Sequence, residues 1–127
     1  MIRVAIADDH PEMRVALRLL LSKADNIELV CEVVCGWEAV DCVWRFRPDV
    51  LVMDVNMPDL DGIAATKEIA KLPVPTRVIL ISLARDRSFS QQAAGAGADG
   101  FIPKDNLVDS LLPAIEAVLR GEQFFPD

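Results

Sequence analysis

The sequence predicts an open α/β sheet of five parallel strands with helices on both faces. Short apolar runs, several rich in β-branched residues, alternate five times with longer segments whose apolar residues recur at helical spacing. Strands that alternate with helices in this way are joined by right-handed crossovers and therefore run parallel. The 127 residues, 52% of them hydrophobic, are enough for one globular domain with its own core.

The first half of the chain contains two such units and begins a third. A strand is predicted at residues 3–7, followed by a helix at 11–24, whose first helical position suits Pro11. The next pair is a strand at 27–33 and a helix at 37–46. The apolar run at 50–53 is the third strand.

The second half completes the alternation. Asp61 is a candidate cap for a helix that runs to about residue 71, where the sequence LPVPT breaks it. A fourth strand at 77–81, a short helix at 88–94 and a brief fifth strand at 100–102 follow.

A last helix is predicted at residues 107–120, with Gly121 as its stop signal. Pro113 falls inside this helical pattern, where its ring meets the carbonyl of Asp109. Two alternatives remain open: the helix kinks at Pro113, or Ser110 is the true cap and Pro113 lies in the first turn.

Charge and hydropathy exclude several functions. The net charge of −7 argues against direct binding of nucleic acid by this segment, because phosphate contacts need clustered lysine and arginine. No apolar run approaches the roughly 20 residues that cross a bilayer, and the first residues do not form a signal peptide. We therefore expect a cytoplasmic protein without membrane contact. The three cysteines are expected to be free thiols.

Polar residues stand at the ends of four of the five strands. Asp8 and Asp9 follow the first strand, Asp54 the third, Ser82 the fourth and Lys104 the fifth. Ligands of open parallel sheets bind beyond the carboxyl ends of the strands. With the strand order 2-1-3-4-5, the first and third strands are neighbours and the aspartates meet in one crevice.

Three clustered carboxylates repel one another unless a cation lies between them. Oxygen ligands favour a hard divalent ion, with Mg²⁺ the first choice and Mn²⁺ possible. Such an ion also lets a phosphoryl group approach a nucleophilic carboxylate, and Lys104 and Ser82 supply further donors to its oxygens. The set therefore predicts a phosphoryl-acceptor site. His10 is expected to be an exposed residue before the first helix rather than a phosphodonor.

These residues resemble the receiver domain of two-component response regulators, a flavodoxin-like (βα)₅ fold. The matching pieces are DDHP, MDVNMPDLDG, the Ser82 position and GADGFIPK. The opening DDHPEMR and the ending LRGEQFFPD are most similar to the NarL/FixJ subgroup, in which a LuxR-type helix-turn-helix domain follows the receiver. The resemblance implies a receiver at residues 1–121, with 122–127 as the start of a linker or tail.

The resemblance also implies a role for each site residue. A partner histidine kinase would phosphorylate Asp54, and Mg²⁺ would be held by Asp9, Asp54 and the backbone carbonyl of Asn56, with Asp8 acting through water. The phosphoryl oxygens would bind to two further side chains, Ser82 and Lys104.

Activation would be transmitted through an aromatic switch. Phe101 would rotate as Ser82 moves inward, and this would change the surface formed by the fourth helix, fifth strand and fifth helix. A homodimer is expected through that surface or through the first and fifth helices. The protein would be a switch and not a turnover enzyme, catalysing only its own phosphorylation and dephosphorylation.

Two positions depart from the common pattern of the family. Leu83 stands where many receivers have a small residue beside the site, and we expect it to restrict access of water or small phosphodonors. Asp105 follows Lys104 where the family often has a cis proline, and a cis bond before a residue other than proline costs about 2.5–4 kcal/mol. The geometry of the Lys104 loop is therefore open.

Three other functions remain as alternatives. The chain could be a stand-alone receiver or a pseudo-receiver that binds partners without phosphorylation, although its complete acidic set disfavours the latter. A small Mg²⁺-dependent phosphohydrolase is the rival from another class. In the best-known family of that kind the nucleophile follows the first strand and a general acid stands two residues on, where this chain has Asn56 after Asp54.

Overall fold

The computed structural model describes residues 1–83 and 87–125. Its strands are β1 (Ile2–Ala7), β2 (Ile27–Val33), β3 (Val50–Asp54), β4 (Arg77–Ser82) and β5 (Gly100–Pro103). Its helices are α1 (Pro11–Leu21), α2 (Gly36–Phe46), α3 (Gly62–Ala70), α4 (Arg87–Ala96) and α5 (Leu107–Leu119), and a 3₁₀ turn at Lys104–Asn106 precedes α5.

In these described ranges the strands form one parallel sheet in the order β2-β1-β3-β4-β5, as predicted. Ala7 of β1 pairs with Met53 of β3, and Asp54 pairs with Ile81 of β4. The carboxyl ends of the three central strands therefore lie side by side, which brings the residues that follow them to one edge of the sheet.

Alternating strand residues face two separate apolar layers. Ala5, Leu51 and Leu80 pack in the layer that contains residues of α2 and α3. Val52 and Ile79 pack in the opposite layer, with α1 and α5. Because β3 is covered on both faces and all of its residues are buried, its apolar run is unbroken and does not alternate with polar residues.

Helix ends differ from the predicted ends in ways that local hydrogen bonds explain. The predicted first helix was too long, since α1 ends at Leu21 and Ser22 is its C-cap. The next two backbone N–H groups donate to carbonyls three residues back instead of the four of an α-helix: Lys23 N–H to Leu20 O and Ala24 N–H to Leu21 O. Asp61 does cap α3, and its side chain accepts from Ala64 N–H at 2.8 Å.

The last helix is continuous through Pro113. It begins at Leu107, so the alternative in which Ser110 is the cap is wrong. Proline has no N–H for the carbonyl of Asp109, but both residues are exposed, and that carbonyl can bind water instead.

Residues beyond α5 pack against the edge of the sheet. Phe124 bridges to Gly100 in parallel orientation, with Phe101 N–H donating to Phe124 O and Phe124 N–H to Asp99 O, both at 2.9 Å. Residues 126 and 127 of the predicted tail lie outside the described residues, and the boundary at Gly121 stays a prediction. Within the described ranges, every helix is too short or too polar to span a lipid bilayer.

Candidate functional site

The aspartates after β1 and β3 lie side by side at the carboxyl edge of the sheet. Asp8 is fully buried and Asp54 is 2% exposed, whereas Asp9 is exposed. Oxygens of these three carboxylates and a ring nitrogen of His10 all lie within 4.8 Å of one another. Chain segments more than 40 residues apart thus supply one acidic cluster, because β1 and β3 are neighbours in the sheet.

Lys104 brings a positive charge to this cluster from the end of β5. Its Nζ lies 3.4 Å from Asp8 Oδ2 and 3.4 Å from Asp54 Oδ2, and its side chain is 7% exposed. The described chain has no cis peptide bond, so the Lys104–Asp105 bond is trans. The 3₁₀ turn that begins at Lys104 therefore delivers the ammonium without the proline that the family often has at 105.

The end of β1 is fixed by a second basic residue. Arg14 of α1 donates from Nη1 to the backbone carbonyl of Asp8 at 2.8 Å and from Nε to Glu32 Oε2 of β2 at 2.9 Å. The Asp8 N–H donates to Val33 O at 3.1 Å. These bonds tie Asp8 to the edge strand β2 and to α1, which limits its freedom to move away from Asp54.

Burial and charge shape the protonation of Asp54. Burial raises its pKa above the ordinary value, and the negative charge of Asp8 raises it further. The Lys104 ammonium and the Asn56 N–H, which donates to Asp54 Oδ1 at 3.4 Å, oppose this rise. A further cation in the cluster would therefore favour the ionised, nucleophilic form of Asp54.

His10 lies inside the cluster, which the sequence did not reveal. Its Nδ1 is 3.1 Å from Asp8 Oδ1, 3.1 Å from Asp9 Oδ1 and 3.9 Å from Asp54 Oδ2. The hydrogen bond to Asp8 and the charge of Asp9 raise the pKa of the imidazole. The expected exposure is correct, since the side chain is 52% exposed. The signal that could have located it is its place directly after Asp8–Asp9.

Four other predicted residues lie at or near the same edge. Ser82 is fully buried at the end of β4, where its Cα pairs with Pro103, and Phe101 is 2% exposed in β5. Leu83 is 80% exposed directly after Ser82, and Asn56 is exposed two residues beyond Asp54.

The cluster fits a small divalent cation. Octahedral Mg²⁺ binds oxygens at about 2.0–2.1 Å, so neighbouring ligand atoms are about 3 Å apart and opposite ones about 4 Å. Carboxylate oxygens that gather within 4.8 Å need only small side-chain movements to reach this spacing. Asp9, Asp54 and the Asn56 carbonyl are the candidate direct ligands, and Asp8 can bind the ion through water.

The cysteines do not belong to this cluster. Cys31 lies in β2, Cys42 lies in α2, and both are free, as is Cys35. Burial and the neighbouring Cys31 raise the pKa of the Cys42 thiol above its usual range. The Cys42 thiol is therefore kept neutral, and as a buried group it packs as a small apolar residue.

Comparison with known families decides the class of the protein. Residues 4–116 match the model of the response regulator receiver domain. The chain belongs to this family. The receiver shares its sheet order with that family's solved structures, including the response regulator domain of Thermotoga maritima CheB, with a TM-score of 0.87 and 32% identity over 94% of this chain and 97% of that one.

Its relatives are mainly NarL- and LuxR-type regulators, as the two ends of the sequence predicted. The receiver is 36% identical to the DNA-binding transcriptional activator EvgA of Escherichia coli K12, over 95% of this chain and 59% of that protein. It is 32% identical to a nitrate/nitrite response regulator homolog of Haemophilus influenzae, over 99% of this chain and 61% of that protein.

A solved LuxR-family response regulator from Aurantimonas sp. SI85-9A1 has a TM-score of 0.91 and 31% identity, over 96% of this chain and 87% of that one. The receiver spans only about three fifths of the length of two curated relatives, EvgA and the nitrate/nitrite regulator homolog.

Proposed function

We propose that this receiver is a phosphorylation-activated switch that takes a phosphoryl group from a histidine kinase on Asp54. The observation that carries the proposal is the position of Asp54. Its carboxylate is 2% exposed, beside the fully buried Asp8 and 3.4 Å from the Lys104 ammonium. A structural carboxylate rarely needs a buried second carboxylate beside it, whereas a phosphoryl-acceptor site needs both acids and a cation.

In the proposed step an Asp54 oxygen forms a bond to phosphorus while the P–N bond to the donor imidazole breaks. The electron pair of that bond stays on the imidazole nitrogen, which takes a proton. Mg²⁺ held by Asp9, Asp54 and the Asn56 carbonyl, with Asp8 through water, would offset the negative charge of the two reacting groups. Lys104 and Ser82 would donate hydrogen bonds to the phosphoryl oxygens.

The output of the switch would be a change in the surface formed by α4, β5 and α5. We propose that Ser82 moves toward the phosphoryl group and that Phe101 turns with it, so that phosphorylation favours one of two states of this surface. Because EvgA is a DNA-binding transcriptional activator, and because the chain spans only 59% of it, the proposed output is transcription through a LuxR-type domain. We also propose that the protein is located in the cytoplasm.

Two surfaces are proposed for a homodimer. Val108, in the first turn of α5, is 72% exposed. Leu19 of α1 is 62% exposed, and Val15 is also exposed in that helix, which packs against α5. Apolar side chains on either surface could be covered by a second protomer.

Incubation with acetyl phosphate and Mg²⁺, followed by mass spectrometry of the intact protein, tests the proposal. The expected result is a gain of one phosphoryl group per chain that disappears in Asp54→Ala. Asp61→Asn is the matched control, because Asp61 caps α3 and lies outside the cluster. This variant should be phosphorylated as the parent is.

Two of the alternatives predict other outcomes of the same assay. Continuous release of phosphate without a stable adduct would favour the phosphohydrolase. No adduct under any condition would favour the pseudo-receiver. An undiminished gain of mass in Asp54→Ala would place the acceptor on another residue and contradict the proposal.

Leu83→Ala is expected to shorten the lifetime of phosphorylated Asp54 several-fold. The exposed Leu83 directly follows the proposed phosphoryl-binding Ser82, so removing its side chain should open a path for water. The half-life of the adduct, measured by intact mass after removal of the donor, gives the answer. An unchanged half-life would show that Leu83 does not restrict access.

A further inference from the structure

The strongest unexplained feature of the site is the histidine among its carboxylates. His10 is the only histidine of the chain. Its Nδ1 lies 3.1 Å from an oxygen of Asp8, 3.1 Å from an oxygen of Asp9 and 3.9 Å from an oxygen of Asp54. The proposed phosphotransfer has no use for an imidazole at this position.

The backbone holds His10 in place. Its N–H donates to Asp8 Oδ1 at 2.9 Å, and its carbonyl accepts from the N–H groups of Met13 and Arg14, each at 3.1 Å. The residue is the extended N-cap of α1 but uses no side-chain atom to cap the helix. The side chain therefore does not cap α1; its Nδ1 lies 3.1 Å from Asp8 Oδ1, while the backbone of the residue is fixed.

The distances match the spacing of ligands around one ion. In an octahedral site with bonds of about 2.1 Å, adjacent ligand atoms are about 3 Å apart and opposite atoms about 4 Å. Relative to Asp9 the imidazole nitrogen is placed as an adjacent ligand, and relative to Asp54 nearly as an opposite one. Neutral imidazole with its hydrogen on Nε2 presents a lone pair on Nδ1, and the side chain is 52% exposed.

We propose that His10 Nδ1 is a direct ligand of the divalent ion and shifts the site from Mg²⁺ toward transition metals. This inference rests on the proposed function, because it concerns the same ion. Imidazole binds Mg²⁺ poorly but suits Fe²⁺, Co²⁺, Ni²⁺ and Zn²⁺, and affinity for a given nitrogen-containing site rises from Mn²⁺ to Ni²⁺. A site of oxygens alone discriminates much less between these ions and Mg²⁺.

Mn²⁺ is the probe for coordination, because it is paramagnetic and binds thiols weakly, so that the three cysteines do not compete. Untagged protein with Mn²⁺ is measured by electron spin echo envelope modulation. Modulation from a directly bound imidazole nitrogen is expected, and with one histidine in the chain it can come only from His10. It should vanish in His10→Phe, which fills the same space without a lone pair.

Selectivity is the second readout. Ni²⁺ and Mg²⁺ affinities are measured by calorimetry for the parent and for His10→Phe. The ratio of Ni²⁺ to Mg²⁺ affinity is expected to fall about tenfold or more in the variant, with Mg²⁺ affinity little changed. Circular dichroism establishes that the variant is folded, which its half-exposed position favours.

The outcomes separate this inference from the proposed function. If the parent is phosphorylated on Asp54 but bound Mn²⁺ shows no nitrogen modulation, His10 is not a ligand and the switch still stands. An unchanged affinity ratio in His10→Phe would overturn the inference in the same way. If no divalent ion binds and Asp54 is not phosphorylated, the inference and the proposed function both fail.

Discussion

Gly62→Ala is expected to lower the free energy of unfolding by about 3 kcal/mol, the upper end of the usual cost of overpacking. A Cβ on Gly62 would overlap the backbone carbonyl of Asp54 and lie 2.9 Å from the Cα of Val55. The neighbours are backbone atoms of the strand end, so no flexible side chain can move aside. Urea denaturation followed by circular dichroism measures the loss.

The same substitution should slow phosphorylation of Asp54. Gly62 N–H donates to Val55 O at 2.7 Å, so α3 cannot withdraw from the strand without breaking a short hydrogen bond. The strain is therefore shared with the end of β3, which carries the acceptor. The rate of adduct formation with acetyl phosphate, measured under conditions in which the variant is folded, is expected to fall more than tenfold, since small displacements at a reacting group are costly.

Gly95→Ala is the matched control for this substitution. Gly95 lies inside α4, and apart from its chain neighbours and the backbone of that helix a Cβ on it would meet no atom within 4 Å. Alanine is favoured over glycine in a helix by up to about 1 kcal/mol, so this variant should be as stable as the parent or slightly more so. Equal losses in the two variants would contradict the account of Gly62, because the cost would then not come from contact with β3.

The sheet could be predicted because its signal is spread over many residues. The apolar runs of β1, β3, β4 and β5 each contain several buried residues, and β2, whose residues are half-buried or exposed, has the predicted bounds 27–33. The ends of helices depend on single hydrogen bonds instead. For this reason the predicted first helix extends three residues beyond Leu21, where α1 ends. Local rules could not decide whether the last helix continues through Pro113. The free-energy cost of a proline there depends on whether the carbonyl of Asp109, which loses its hydrogen bond, is exposed to solvent.

The convergence of Asp8, Asp9, Asp54 and Lys104 could be predicted for a different reason. It follows from strand order alone, since each of these residues stands at the end of its strand. The position of the His10 ring could not be predicted this way. It depends on the backbone angles of one residue between β1 and α1, and an exposed loop histidine has no apolar pattern that would reveal its direction.

Lys104→Met is expected to lower the free energy of unfolding by about 3 kcal/mol at neutral pH in the absence of divalent ions. Methionine keeps most of the length and apolar character of lysine but removes the ammonium that lies 3.4 Å from both Asp8 and Asp54. These carboxylates are 0% and 2% exposed, so water cannot replace the lost charge. Chemical denaturation in the presence of a chelator measures the loss.

A double-mutant cycle with Asp54→Asn identifies the source of this loss. Asp54→Asn alone should stabilise the protein, because it removes a buried charge whose pKa is raised by burial and by Asp8. In that background Lys104→Met should cost clearly less than it does in the parent, since one carboxylate fewer is left without a partner. If the cost of Lys104→Met is the same in both backgrounds, the loss comes from packing of the lysine side chain and not from its charge.

The dependence on pH gives a third test with a definite sign. The pKa of Asp54 in the folded chain lies above its ordinary value of 3.8. Protonation of Asp54 therefore stabilises the fold fully below pH 3.8, and this stabilisation is lost as pH rises through the raised pKa. The difference in stability between the parent and Lys104→Met should accordingly shrink as pH falls through this range, because protonated Asp54 no longer needs the ammonium. Adding Mg²⁺ at neutral pH should also reduce the difference in stability, since a bound cation replaces the missing charge. If neither pH nor Mg²⁺ changes the difference, the ammonium does not stabilise these carboxylates.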